Sequence, residues 1–163
     1  MVEPTVALYG ATYQKTTDTL DELLQESGAR YVMLLDRKGF VLAHREAIWA
    51  PQPPSLDSLA TLIAGNAAAI QALAKLLGEH AFSELVHQGD EYGIYIEEAG
   101  PQALLVVIFD KSAPVGRVKL YGKRASQGLA SVMKEALVDP NKLGIDDEFS
   151  AGASALLDDL FGN

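Results

Sequence analysis

Ser55-Leu56-Asp57-Ser58-Leu59-Ala60-Thr61-Leu62-Ile63-Ala64-Gly65-Asn66-Ala67-Ala68-Ala69-Ile70-Gln71-Ala72-Leu73-Ala74-Lys75-Leu76-Leu77-Gly78 is the stretch on which the fold turns. Ser55 suits an N-cap, Asp57 suits the positive end of a helix dipole, and Gly78 suits a stop. A helix from about Leu56 to Leu77 is therefore predicted. With Leu59 set at zero and 100° allowed per residue, Leu59, Leu62, Ile63, Ile70, Leu73 and Leu77 fall within about 60° of one line. That sector predicts the face laid on a sheet. Asn66 shares the sector and needs a hydrogen-bonding partner if it is buried.

The opposite face carries Thr61, Ala64, Gly65, Ala68 and Ala72, with Lys75 near the end. A water-facing side would be expected to carry charge. Small, uncharged side chains instead let another backbone approach closely and remove the cost of desolvating charge on docking. These residues are therefore expected to meet protein, either a second copy of the chain or a partner. The competing reading is that alanine fills a surface helix because it is the best helix former. Seven alanines with charges only near the two ends, and a mid-helix Gly65 costing about 1 kcal/mol against alanine, favour docking. The uncharged run Ser58 to Ala74 contains Asn66 and Gln71 and is short of the roughly 20 residues a bilayer needs. No membrane insertion is expected.

Around this helix the pattern is regular. Upstream, Thr12 to Ser27 reads as an amphipathic helix on Leu20, Leu23 and Leu24, stopped by Gly28. Tyr31 to Leu35 and Phe40 to His44 read as strands joined by the turn Asp36-Arg37-Lys38-Gly39, where Gly39 is free to take positive φ. Downstream, strands are predicted at about Glu84 to Gln88, Tyr92 to Glu98 and Ala103 to Phe109. The last of these is apolar throughout, as a central strand covered on both faces would be. A further helix starts after Pro114 and ends near Val138. The order α-ββ-α-βββ-α with hairpin-length connections predicts an α/β (α+β) fold: a five-stranded antiparallel sheet with helices on both faces. Residues 1–138 form the domain, 139–151 a linker, and 152–163 a short acidic amphipathic segment.

Composition narrows the function classes. One domain plus a tail fits 163 residues, enough to bury roughly 70% of the unfolded surface. There is no cysteine, which excludes disulfides, thiolate zinc sites and thiol catalysis. A formal charge of −9 argues against nucleic acid as a partner. Met1-Val2-Glu3-Pro4 offers no basic run before an apolar core, so no secretory leader is expected and a cytoplasmic location follows.

Candidate chemistry is sparse. His44, His80 and His87 lie on different elements without metal-ligand spacing, so no metal site is expected. Gly116 to Lys123 has the wrong glycine spacing for a phosphate loop, and Arg124 stands where serine or threonine is required. Glu97 and Glu98 point to opposite faces of a strand and make no acid/base pair. Lys15, Lys119, Lys123 and Arg124, with Lys111 and Arg117, form a basic group, either a solvated surface or a second docking patch for an acidic partner. Arg37, at a hairpin tip, is sterically able to reach a partner. Leu156, Leu157, Leu160 and Phe161 can share one face of a C-terminal helix, which ten residues alone hold only marginally. A buried polar pocket for a small molecule is not suggested by strands this aliphatic.

The element order, together with Leu59 to Ala68, Leu73 to Glu79, Phe82, His87-Gln88-Gly89, Val106 to Asp110 through Gly116, and the terminal Leu156-Leu157-Asp158-Asp159-Leu160-Phe161, resembles the bacterial MglB branch of the roadblock/dynein light-chain superfamily. The resemblance implies a homodimer with second helices side by side and sheets joined edge to edge. It implies that two copies bind one MglA-type Ras-like GTPase and stimulate GTP hydrolysis by repositioning the GTPase's own catalytic groups, in bacterial polarity and motility. Such a chain is a regulator rather than an enzyme and needs no cofactor, since GTP and Mg²⁺ belong to the partner. The family's partner-binding face maps onto Ala68 and Ala72, within the stripe Thr61, Ala64, Gly65, Ala68, Ala72 and Lys75. An arginine-finger role for Arg37 is disfavoured by the resemblance. The C-terminal segment, through Leu156, Leu157, Leu160 and Phe161, is implied to reach the GTPase elsewhere and to influence exchange. A passive roadblock scaffold with no effect on GTP turnover is the alternative.

Overall fold

The computed structural model describes residues 6–138. Its elements are α1 (Gly10–Ser27), β1 (Tyr31–Asp36), β2 (Val41–Glu46), α2 (Leu56–Leu76), β3 (Glu84–Gln88), β4 (Tyr92–Glu98), β5 (Ala103–Asp110) and α3 (Val115–Val138). The strands form one sheet in the order β2-β1-β5-β4-β3, antiparallel throughout. The predicted order and sheet are those observed. The linker at 139–151 and the segment at 152–163 lie outside the described residues.

Strand parity divides the core in two. One sheet face presents Val32, Leu34, Ala43, Tyr95, Leu105, Val107 and Phe109 to α1 (Leu20, Leu23) and α3 (Val118, Ala125, Leu129, Met133). The other presents Tyr31, Met33, Leu35, Ile96, Leu104, Val106 and Ile108 to α2 (Ala60, Ile63, Ala67). Central β5 is buried on both faces from Ala103 to Phe109, as its unbroken apolar run requires. On the α3 side Gly122 lies flat on Tyr95, where a Cβ would come within 2.4 Å of the ring.

Local chemistry sets the turns. Gly39 takes φ +94°, and the Asp36 carboxylate accepts from the Lys38 and Phe40 amides, both at 2.9 Å. A Cβ on Gly39 would also sit 3.0 Å from the Thr61 Cα, so the hairpin abuts α2. The Ser55 hydroxyl caps α2 through the Ser58 amide at 3.3 Å.

α2 is rotated from its predicted seating. Ala60, Ile63, Ala64, Ala67 and Ala74 are its buried residues, a sector centred about 85° round from Leu59 at 100° per residue. Leu62 is 72% exposed, Leu73 47% and Leu77 66%, and Asn66 is exposed and needs no buried partner. Ala64 is 6% exposed, so its predicted place on the outward face is corrected to the sheet side. The reason is steric. The sheet already presents tyrosine, methionine, leucine and isoleucine side chains to α2, and alanines spaced seven apart at 60, 67 and 74 let the helix settle close. Leu59 and Ile63 of the predicted sector do pack on the sheet, whereas Leu62, Leu73 and Leu77 stand outside.

Candidate functional site

The outward face of α2 has two adjoining strips. Leu62, Ala69, Leu73 and Leu76 form an aliphatic ridge, with Leu76 84% exposed. Beside it Thr61, Gly65, Ala68 and Ala72 form a shallow exposed trough, ending at exposed Lys75. Beyond its own chain neighbours and the surrounding helix backbone, no atom of the described residues lies within 4 Å of where a Gly65 Cβ would stand. Each leucine left in water forgoes ~1.5–3 kcal/mol of burial, and contiguous exposed apolar surface of this kind marks an interaction site. By length and composition α2 could cross a membrane. It is nevertheless seated on the sheet through Ala60, Ile63 and Ala67.

The structure thus brings together five of the six residues predicted for this surface, Ala64 being the exception. It adds Leu62, Leu73 and Leu76, which had been assigned to the core or left unassigned. The signal for them was present as an excess of large apolar residues over what one sheet-facing sector can hold.

The basic group is dispersed and partly neutralised. The Lys15 Nζ lies 3.1 Å from Glu135, roughly 18 Å along the α3 axis from Lys123 at 1.5 Å per residue. Lys119 is paired with Glu84 at 2.8 Å, and Lys111 with Glu91 at 3.1 Å. Lys123 and Arg124 are exposed, and the Arg124 guanidinium lies 5.6 Å from the Tyr121 ring centroid. The acidic partners come from other elements, which the run of the sequence could not show. Leu156, Leu157, Leu160 and Phe161 lie outside the described residues.

Arg37 folds back rather than reaching outward. It donates to Glu98 at 2.7 Å and to the Pro101 carbonyl at 3.0 Å. Glu97, on the other strand face, accepts from the buried Tyr95 hydroxyl. Burial holds its carboxyl above the usual range, reinforced by Glu84 opposite on β3 and opposed by Lys123 and Ser126. Among the described residues no group of three or more metal-capable side chains converges, and Gly116 to Lys123 is helical.

A three-layer module, with a five-stranded antiparallel sheet between one helix and two and an uncharged helical face turned outward, defines the class. A model of the Roadblock/LC7 domain matches residues 15–109, and the chain belongs to this family. Within it, the chain is similar to the gliding protein MglB of Thermus thermophilus, at 63% identity over 82% of this chain and 99% of that one, with a TM-score of 0.79. A structure described as MglB with a tetrameric arrangement is 62% identical over 83% of this chain and 100% of that one, TM-score 0.80. MglB of Myxococcus xanthus is 32% identical over 82% and 98%, TM-score 0.74. No curated protein matches.

Proposed function

We propose that the chain is a homodimeric, cytoplasmic regulator of a small Ras-like GTPase of the MglA kind, acting in bacterial cell polarity and motility. The observation that carries this reading is the uncharged, exposed outer face of α2, with Leu62, Leu73 and Leu76 in water beside the trough of Thr61, Gly65, Ala68 and Ala72. The ridge suits a second copy of the chain, and the trough suits a partner backbone at close approach. Similarity to the gliding protein MglB supports the link to motility. The tetrameric arrangement of a relative supports self-association.

Two copies bind one GTPase. They stimulate hydrolysis by favouring the switch conformation in which the GTPase's own catalytic groups are aligned. Moving such an equilibrium from 1:99 to 99:1 takes about 5.5 kcal/mol of differential binding, within reach of an interface of ordinary size. The inward engagement of Arg37 with Glu98 and Pro101 agrees with action without an inserted arginine. GTP and Mg²⁺ are held by the partner, and this chain supplies no catalytic group or cofactor of its own.

The test is GTP turnover by the cognate GTPase with the double variant Ala68→Arg/Ala72→Arg. Both residues are exposed, so the variant keeps its fold and dimer, and stimulation is lost. Retained stimulation would defeat the proposal. Binding of the wild-type chain without any change in turnover would leave a passive scaffold.

A further inference from the structure

The buried residues of α3, Val118, Gly122, Ala125, Leu129 and Met133, share one sector at 100° per residue, and Leu120 stands opposite them. Leu120 is 51% exposed. Exposed Arg117, Lys123 and Arg124 lie three or four residues from it, which makes each its neighbour on the helix surface. The Arg124 guanidinium lies over the Tyr121 ring, and Arg117 donates to the Glu26 carbonyl. Neither pairs with a carboxylate among the described residues, whereas Lys119 is taken by Glu84. Lys123 lowers the Glu97 carboxyl without forming an ion pair.

Gly128 is a second, independent observation beside this group. Gly122 is required by Tyr95, whose ring would meet its Cβ. At Gly128, beyond its chain neighbours and the surrounding helix backbone, nothing described stands within 4 Å. A mid-helix glycine costs about 1 kcal/mol against alanine. One turn on from Arg124, it leaves the helix open to a chain laid across it.

Charge indicates which chain. From Pro114 to Lys134 there are five basic residues and no acidic one, while residues 139–163 hold six acidic residues and one lysine. That segment carries a net −5 of the chain's −9. Within it Asp146-Asp147-Glu148 is followed by Phe149, an acidic and apolar counterpart to Lys123, Arg124 and Leu120. Reach allows the pairing. Arg124 lies fourteen residues before Val138, about 21 Å back along the helix. Asp146 lies eight residues after Val138, and eight extended residues span up to about 26 Å. Phe149 reaches Leu120 by the same measure.

We propose that Asp146-Asp147-Glu148-Phe149 folds back on the outer face of its own α3, with the carboxylates on Lys123, Arg124 and Arg117 and the Phe149 ring on Leu120. A segment of the same chain is favoured over a separate acidic protein because its tether holds it at about millimolar effective concentration. α3 packs on the sheet face opposite α2, so the contact leaves the α2 surface free and closes α3 to other acidic partners. The inference stands apart from the reading of α2.

The chain has no cysteine, so Gly116→Cys/Ser150→Cys in the full chain places one spin label on α3 and one after Phe149. Labelled chain is diluted into excess unlabelled chain, so that only one copy of any assembly reports. Docking puts Ser150 near the level of Leu120, about 6 Å along the axis from Gly116, and the labels are expected to read below about 25 Å. An undocked segment starts about 33 Å from Gly116 and spreads a further ~17–21 Å, which reads at about 35–40 Å. Asp146→Lys/Asp147→Lys/Glu148→Lys is expected to shift the short distance to the long one, as is 1 M salt. Adding Lys123→Glu/Arg124→Glu to that variant restores the short distance, with circular dichroism confirming the fold. A long distance in the chain without charge reversal would overturn the proposal, as would a short one indifferent to both tail reversal and salt. A short distance only between singly labelled chains mixed together would overturn it by placing the segment on another copy's α3.

Discussion

Glu97 shows how one residue's surroundings become a property of the whole protein. On the sequence it is half of Glu97-Glu98, and strand alternation correctly separates the two: Glu98 meets Arg37 and Glu97 meets Tyr95. What alternation cannot show is that Glu84 is the register partner of Glu97. Burial first, and Glu84 second, raise the Glu97 carboxyl. A carboxyl raised on folding binds its proton more tightly in the folded state. Its ionisation therefore costs stability as pH climbs from the ordinary glutamate range through the raised folded value, and the cost is relieved as pH falls. Glu97→Gln should flatten that slope and stabilise the protein at neutral pH. Urea midpoints from pH 4 to 8 check this, and an unchanged slope would remove Glu97 as its source. Asp110 has the opposite sign. Hydrogen bonds from the Ser112 hydroxyl, and then from Arg30, hold its carboxyl low, so its contribution is present above the ordinary aspartate range and is lost as pH falls through its folded value.

At the scale of the element, α2 was legible in its limits and not in its rotation. Cap, length and stop follow from Ser55, Asp57 and Gly78 because helix ends are local chemistry. Which side faces the sheet depends on the surface already there, and alanines 60, 67 and 74 take that position. The consequence is an outward leucine ridge. Leu73→Asp/Leu76→Asp adds two charges at exposed positions, so the monomer fold is expected to survive while association is lost. Light scattering should show the mass of one chain with an unchanged circular dichroism spectrum. A dimer of unaltered stability would remove the ridge from the proposed interface.

For the whole molecule, the two clusters among the described residues draw on the sheet, the three helices and their immediate flanks. A chain ending at Val138 is therefore expected to fold, dimerise and stimulate GTP hydrolysis, with any effect on nucleotide exchange reduced more than the effect on hydrolysis. Parallel turnover and exchange assays check this. A truncated chain that no longer binds the GTPase would place the essential contact in residues 139–163. The α1–α3 side is held by pairs such as Arg45–Asp21 at 2.9 Å and Lys15–Glu135 at 3.1 Å. The basic group seen in sequence is thus partly spent within the fold, and Arg117, Lys123 and Arg124 are its exposed members without a carboxylate partner among the described residues.

The chain's own order of apolar periods, turns and caps determined the eight elements of the described residues and their antiparallel sheet, because helix ends, hairpins and strand alternation depend on neighbours a few residues away. Only the tertiary structure decided the rotation of α2, the pairing of Glu84 with Glu97, and the meeting of Arg30, Trp49, Tyr92 and Asp110 at one end of the sheet. Each of these depends on strand register and on which surface is already filled, and such long-range packing has no local signature.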